Sequence, residues 1–263
     1  MRIALCQIVS TPDPKANLEL VADGVRQAAE AGARLVVFPE ATMACFGVPL
    51  RPVAEPLDGP WADEVRRLAD GAGLTAVVGM FTPTEDGRVT NTLLVTGSGV
   101  ETHYDKIHLF DAYGFAESDT VAPGDVPVLV EVDGTTVGIT TCYDLRFPGL
   151  FSTLAERGAS VILSSASWGA GAGKREQWGL LVRARALDST SWVLACGQAD
   201  PLSVGRKPSG KAPTGIGFST VATPTGAVHA ELGDAPDVLV TDIDPAVVDE
   251  VRASLPVLAN RRF

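Results

Sequence analysis

"TTVGITTCYDLRFPGLFSTLAERGASVILSSAS", residues 135–167, decides the fold class. It opens with a β-branched apolar run, "TTVGITTC", which reads as a strand. "PGLFSTLAERGA" then reads as a helix with proline in its first turn. "SVILSSAS" is a second apolar run of strand length. Strand, helix and strand in this order form the crossover unit of a parallel sheet. The first strand ends on Cys142 and passes at once into Tyr143, Asp144, Leu145, Arg146, Phe147 and Pro148. A thiol in this place has two readings. It is either a small apolar residue buried at a strand end, or a nucleophile at the sheet rim, where open α/β folds hold their reactive groups.

The same alternation extends in both directions. "RIALCQI" is a strand, and Asp13-Pro14 supplies an N-cap and a first-turn proline. Leu18, Val21, Val25 and Ala28 follow at helical spacing, and Gly32 stops that helix. "ARLVVFPE" reads as a strand buried on both faces, "WADEVRRLADGAG" as a helix, and "TAVVGM" and "NTLLVTG" as strands. Beyond the opening unit come helix "REQWGLLVRARALDS" and strands "SWVLACGQ", "GFSTVAT" and "DVLVTDI", then a short helix and the tail "SLPVLANRRF". This is an α/β protein. One open sheet does not comfortably hold so many strands, and no helix separates "NTLLVTG" from "TTVGITT". Two face-to-face sheets, each with an outer helical layer, fit better. No repeat or linker divides the chain, so residues 1–263 are expected to form one domain.

With 263 residues, a fold of this size buries roughly 70–75% of its unfolded surface and needs no disulfide or structural metal. The net charge of −11 repels phosphate backbones and anionic lipid, so neither nucleic acid nor a membrane is an expected partner. Cys6, Cys45, Cys142 and Cys196 are too scattered for a zinc knuckle or redox pair. The N-terminus has too short an apolar core for a signal peptide, and no run is long enough to span a bilayer. A soluble, cytoplasmic protein with reduced thiols is expected.

Three strand ends carry a residue capable of chemistry: Glu40 after "LVVFP", Lys106 after "VETHYD" and Cys142 after "GITT". Each alone has an ordinary explanation as a cap, a surface charge or a core thiol. Together they make a complete acyl-transfer set. A thiol needs a base or a cation to become a nucleophile, and none of His103, His108 and His229 follows an apolar strand end in that way. A carboxylate in an apolar site can take and return a proton. An ammonium can lower the thiol pKa and hold an oxyanion.

At these residues the chain resembles the nitrilase superfamily of carbon–nitrogen hydrolases. The resemblance rests on "VVFPEA" (36–41), "YDKIHLFD" (104–111) and "TCYDLRFP" (141–148), in that order. "VAPGD" (121–125), "LLVRARALDS" (180–189) and "LPVLANRR" (255–262) support it, so it covers essentially the whole chain. It implies a four-layer αββα sandwich, a Glu40–Lys106–Cys142 triad, and Glu117 as the second glutamate that braces the lysine. It also implies an oxyanion contact from the Tyr143 N–H, no metal or organic cofactor, and a homodimer with the tail across its interface. "CYDLRFP" after "KIHLFD" most resembles the Nit branch, whose substrates are small amides of 2-oxo acids, including ω-amides and deaminated glutathione. The chain departs from that branch at Ser165-Ala166-Ser167-Trp168 and at Gln177-Trp178, both near the expected pocket.

Arg146 and Trp168 are the candidate substrate-binding residues. Arg146 either clamps a substrate carboxylate through its guanidinium fork or pairs with Asp144 to shape the turn. Arg183 and Arg185 are expected to make structural ion pairs. "GAGAGK" (169–174) lacks the first glycine and the final Ser/Thr of a phosphate loop, and reads instead as a flexible rim loop. Within the enzyme class, a nitrilase proper and an N-carbamoyl-amine hydrolase are the alternatives. A catalytically silent binding subunit is the alternative from another class, and the intact triad positions argue against it.

Overall fold

The computed structural model describes residues 1–207 and 212–262. In chain order the elements are β1 (Arg2–Gln7), α1 (Pro14–Glu30), β2 (Leu35–Val37), α2 (Pro60–Ala72), β3 (Thr75–Pro83), β4 (Val89–Gly97) and β5 (Val100–Asp105). The short strands β6 (Asp111–Ala112), β7 (Phe115–Ala116) and β8 (Val121–Ala122) follow. Then come β9 (Leu129–Val132), β10 (Thr135–Thr141), α3 (Pro148–Glu156), β11 (Val161–Ala166), α4 (Lys174–Ser189) and β12 (Trp192–Gly197). The last part holds β13 (Thr220–Ala222), β14 (Val228–Glu231), β15 (Asp237–Asp242), α5 (Val247–Ser254) and α6 (Val257–Asn260).

Two mixed sheets result. The first runs β15-β1-β2-β3-β4-β5 with β8 beside β4, and the second runs β14-β13-β12-β11-β10-β9. β1, β2 and β3 are mutually parallel, as are β10, β11 and β12. Those are the stretches that helices cross over, as the 135–167 segment anticipates.

Strand alternation sorts the core into layers. On β1, Ile3 and Leu5 point between the sheets, where they join Val37, Val77, Val137, Ile139, Leu163 and Leu194. Ala4 and Cys6 point the other way, onto Val21 and Val25 of α1 and Trp61 and Val65 of α2. On the far side of the second sheet, Ile162, Val193 and Ala195 pack under Phe151 and Leu154 of α3 and Trp178 and Val182 of α4. The four-layer αββα sandwich is therefore present. No helix among the described residues is long and apolar enough to cross a membrane.

Two strand ends beside the site differ from the sequence reading. "ARLVVFPE" pairs as a strand only over Leu35–Val37. Pro39 has no N–H to give a ladder, and Ala41 turns the chain at φ +58°. β10 stops at Thr141, so Cys142 opens a short 3-10 turn (Cys142–Arg146) instead of closing the strand. Phe263, the last residue of the tail, lies outside the described residues.

Candidate active site

Glu40, Lys106 and Cys142 come together from both sheets. Glu40 follows β2 and is 1% exposed. Its turn lies so close to β3 that a Cβ at Gly79 would stand 2.6 Å from the Pro39 carbonyl, which is why glycine is needed there. Lys106 follows β5. Its backbone N–H donates to Asn91 O at 2.9 Å, and its carbonyl accepts from Gly124 at 2.9 Å. A Cβ at Gly124 would meet the Asp105 carbonyl at 2.3 Å, so the glycine of "VAPGD" is a steric requirement of the lysine segment.

The Lys106 ammonium donates to Glu40 Oε1 at 2.9 Å and to Glu117 Oε1 and Oε2 at 3.0 and 2.9 Å. Burial on its own would lower the lysine pKa, but the two carboxylates outweigh it and hold it well above the ordinary value. The ammonium therefore stays charged. Glu117 also accepts the Phe110 N–H at 2.7 Å. Both of its carboxylate oxygens thus lie against the lysine.

Cys142 sits at φ +46°, a left-handed conformation that costs a non-glycine residue about 1–3 kcal/mol. Its Sγ stands 3.9 Å from the Ser167 carbonyl, and the Ser167 N–H donates to Glu40 Oε2 at 2.8 Å. Ser167, after β11, thus touches both the thiol and the carboxylate. Burial, and then the Glu40 charge, push the thiol pKa well up, against a smaller opposing pull from Lys106. The thiol is therefore held in its neutral form beside the Glu40 carboxylate.

Tyr143 packs its ring edge-on to Phe110 and Phe147, with centroids 5.0 and 5.3 Å apart. Trp168 is 5% exposed and donates its indole N–H to the Lys174 carbonyl at 3.0 Å. The Arg146 guanidinium lies 5.4 Å from the Trp168 ring centroid and donates to Gln177 Oε1 at 2.8 Å. The alternative pairing of Arg146 with Asp144 is overturned, because Asp144 is buried and its carboxylate is taken by Tyr104, His108 and the Thr141 N–H. Arg185 makes the expected ion pair, with Asp188 at 2.7 Å. Arg183 instead donates to the Gly226 carbonyl at 2.7 Å. "GAGAGK" lies in the connection between β11 and α4, with Ala170–Gly173 exposed at the mouth of α4.

Three contributors escape the sequence reading. Asn91 on β4, fully buried, donates to Glu40 Oε1 at 2.7 Å. An amide heading an apolar strand run, where it is buried, must find a partner, and that is the signal that could have found it. The Ser167 N–H is a backbone group and has no sequence signature. Asp144 carries one only in the motif that also holds Cys142.

A thiol, a carboxylate and an ammonium converging at one end of an αββα sandwich equip a hydrolase that works through a covalent acyl intermediate. The chain belongs to the carbon–nitrogen hydrolase family, whose model matches residues 2–253. It is 59% identical over 267 aligned residues to the hydrolase Rv0480c of Mycobacterium tuberculosis, covering 99% of this chain and 95% of that one. It is 35% identical to a deaminated glutathione amidase of Escherichia coli, over 100% and 98% of the two chains. Among solved structures it is similar to Saccharomyces cerevisiae Nit3, a member of branch 10 of the nitrilase superfamily. That match has a TM-score of 0.86 and 26% identity, over 100% of this chain and 97% of that one. The protein is thus an enzyme of the carbon–nitrogen hydrolase class within the nitrilase superfamily.

Proposed function

We propose that the chain works as a single amidase domain in the cytoplasm, hydrolysing small carboxylate-bearing amides of the 2-oxo-acid type through a Cys142 thioester. The observation that carries this reading is the buried Lys106 ammonium held between Glu40 and Glu117 beside the Cys142 thiol. Glu40 takes the thiol proton as sulfur attacks the amide carbon. The Lys106 ammonium and the Tyr143 N–H hold the oxyanion. Glu40 then gives its proton to the departing nitrogen, the C–N bond breaks, and ammonia or an amine leaves. Water attacks the thioester with Glu40 again as base. The proton returns to sulfur as the carboxylic acid is released.

Support for an anionic substrate comes from Arg146, which has no carboxylate partner among the described residues and spends one N–H on Gln177. Its guanidinium carbon stands 5.4 Å from the Trp168 ring centroid and 6.0 Å from that of Tyr143, which leaves N–H donors for a carboxylate. The deaminated glutathione amidase among the relatives acts on a substrate of that character. Support for a homodimer comes from the tail, where Leu255 and Val257 are 50% and 37% exposed beside α3 and α4. A monomer by sedimentation at micromolar concentration would remove the dimer.

The deciding experiment measures ammonia or amine release from 2-oxo-acid amides, neutral amides, nitriles and carbamoyl amines, with Cys142→Ala and Glu40→Gln as controls. Turnover is expected on the carboxylate-bearing amides and loss of nearly all of it in both variants. Preference for nitriles or carbamoyl amines would overturn the substrate class. No turnover, together with no preferential iodoacetamide labelling of Cys142, would favour a silent subunit.

A further inference from the structure

Lys106 and Cys142 belong to different sheets, following β5 of the first and β10 of the second. The apolar layer between the sheets holds them face to face but is non-directional. It does not fix a thiol against an ammonium to the fraction of an ångström that catalysis requires. Something directional must join the two segments at the site.

We infer that Asp144 is a positioning residue for the reaction, its buried carboxylate clasping the Lys106 segment to the Cys142 turn. Asp144 lies two residues after Cys142 and has no exposed surface. Its Oδ2 accepts from Tyr104 Oη at 2.6 Å and from the Thr141 N–H at 2.8 Å. Its Oδ1 accepts the His108 backbone N–H at 3.1 Å and faces His108 Nδ1 at 2.7 Å. Beside a carboxylate that ring nitrogen carries the proton. Tyr104 and His108 flank Lys106 at two residues on either side, and Thr141 immediately precedes Cys142.

One carboxylate therefore touches both flanks of the lysine and the residue that sets the nucleophile's backbone. The clasp is stiffened from outside. The His108 ring stacks on Phe147 with centroids 3.7 Å apart and planes 8° from parallel. Tyr104 Oη also accepts the Ile107 N–H at 3.3 Å, which turns the lysine segment back on itself. Cys142 at φ +46° needs such over-determination to stay put. Asp144 touches neither thiol nor ammonium, so it acts through the places they occupy.

The inference rests on the Cys142 mechanism proposed above, and the test separates the two. In the wild type, Cys142 should be the fastest cysteine to react with iodoacetamide; if it is not, that mechanism fails. Given that it is, Asp144→Asn should lower kcat at least tenfold with KM within twofold, and slow Cys142 alkylation in proportion. Tyr104→Phe, which keeps the ring in the core, should lower both by a smaller factor and add little in the Asp144→Asn background. It also decides the matter if Asp144→Asn does not fold. Variants with wild-type kcat and alkylation rate but a lower Tm would overturn the inference, leaving Asp144 a residue of the fold alone. A raised KM at unchanged kcat would overturn it equally.

Discussion

Asn91 Nδ2 donates to Glu40 Oε1 at 2.7 Å, on the same oxygen that Lys106 holds at 2.9 Å. The amide orientation is fixed by chemistry, since a carbonyl turned toward that carboxylate would meet it oxygen to oxygen. A hydrogen bond to a charged group is worth about 1.5–3 kcal/mol. Asn91→Ala should therefore lower kcat/KM about ten- to a hundredfold. Asn91→Asp should do worse, because it adds a third carboxylate to the cluster. Equal activity in Asn91→Asp and wild type would remove Asn91 from the machinery.

The left-handed backbone at Cys142 makes an opposite-signed prediction for stability. Cys142→Gly should be inactive yet more stable than Cys142→Ala by about 0.5–1 kcal/mol. Relief of the left-handed penalty exceeds glycine's extra unfolded-state entropy. Urea unfolding of the two variants checks this, and a less stable glycine variant would contradict the strain.

The raised thiol pKa predicts a protonated Cys142 at pH 7–8. Below a raised pKa the thiol keeps its proton. Wild type and Cys142→Ala should then show the same thiolate absorbance near 240 nm in that range. Glu40 has two opposed effects on alkylation. Its charge disfavours the thiolate, while its basicity accepts the proton. If the base role wins, Glu40→Gln slows the reaction of Cys142 with iodoacetamide. A faster reaction would show that Glu40 acts only through its field.

The proposed substrate carboxylate makes a prediction at Arg146. Arg146→Ala should cost about 1.5–3 kcal/mol, roughly ten- to a hundredfold in kcat/KM, on a carboxylate-bearing amide. The effect on a neutral amide of equal length should be small. Arg146→Lys should fall between wild type and Arg146→Ala, because it keeps the charge without the fork. Equal losses on both amides would discard the anionic substrate and leave the triad standing.

The layers were legible in the sequence because the central strands alternate faces between two apolar environments, and α1, α2 and α3 carry first-turn prolines. Glu40, Lys106 and Cys142 were legible as candidates because each lies just past the end of a strand, where side chains are presented at a sheet rim. The two-residue strands β6, β7 and β8 were not, since a run that short has no period to read. Asp144 shows a different limit. Its near neighbour Arg146 suggested a pair, but donors at 104 and 108, brought in by the packing of one sheet on the other, took the carboxylate instead. Asn91 reads as the polar start of "NTLLVTG" until the turn at Glu40 is placed beside it.

The two-sheet parentage of the site has a consequence for how the enzyme fails. Glu40 and Lys106 ride on one sheet, Cys142 and Ser167 on the other, so the chemistry straddles a seam. A slight parting of the sheets separates acid from nucleophile while every ladder within each sheet stays intact. Activity is therefore expected to be lost before secondary structure on heating, as at a fuse.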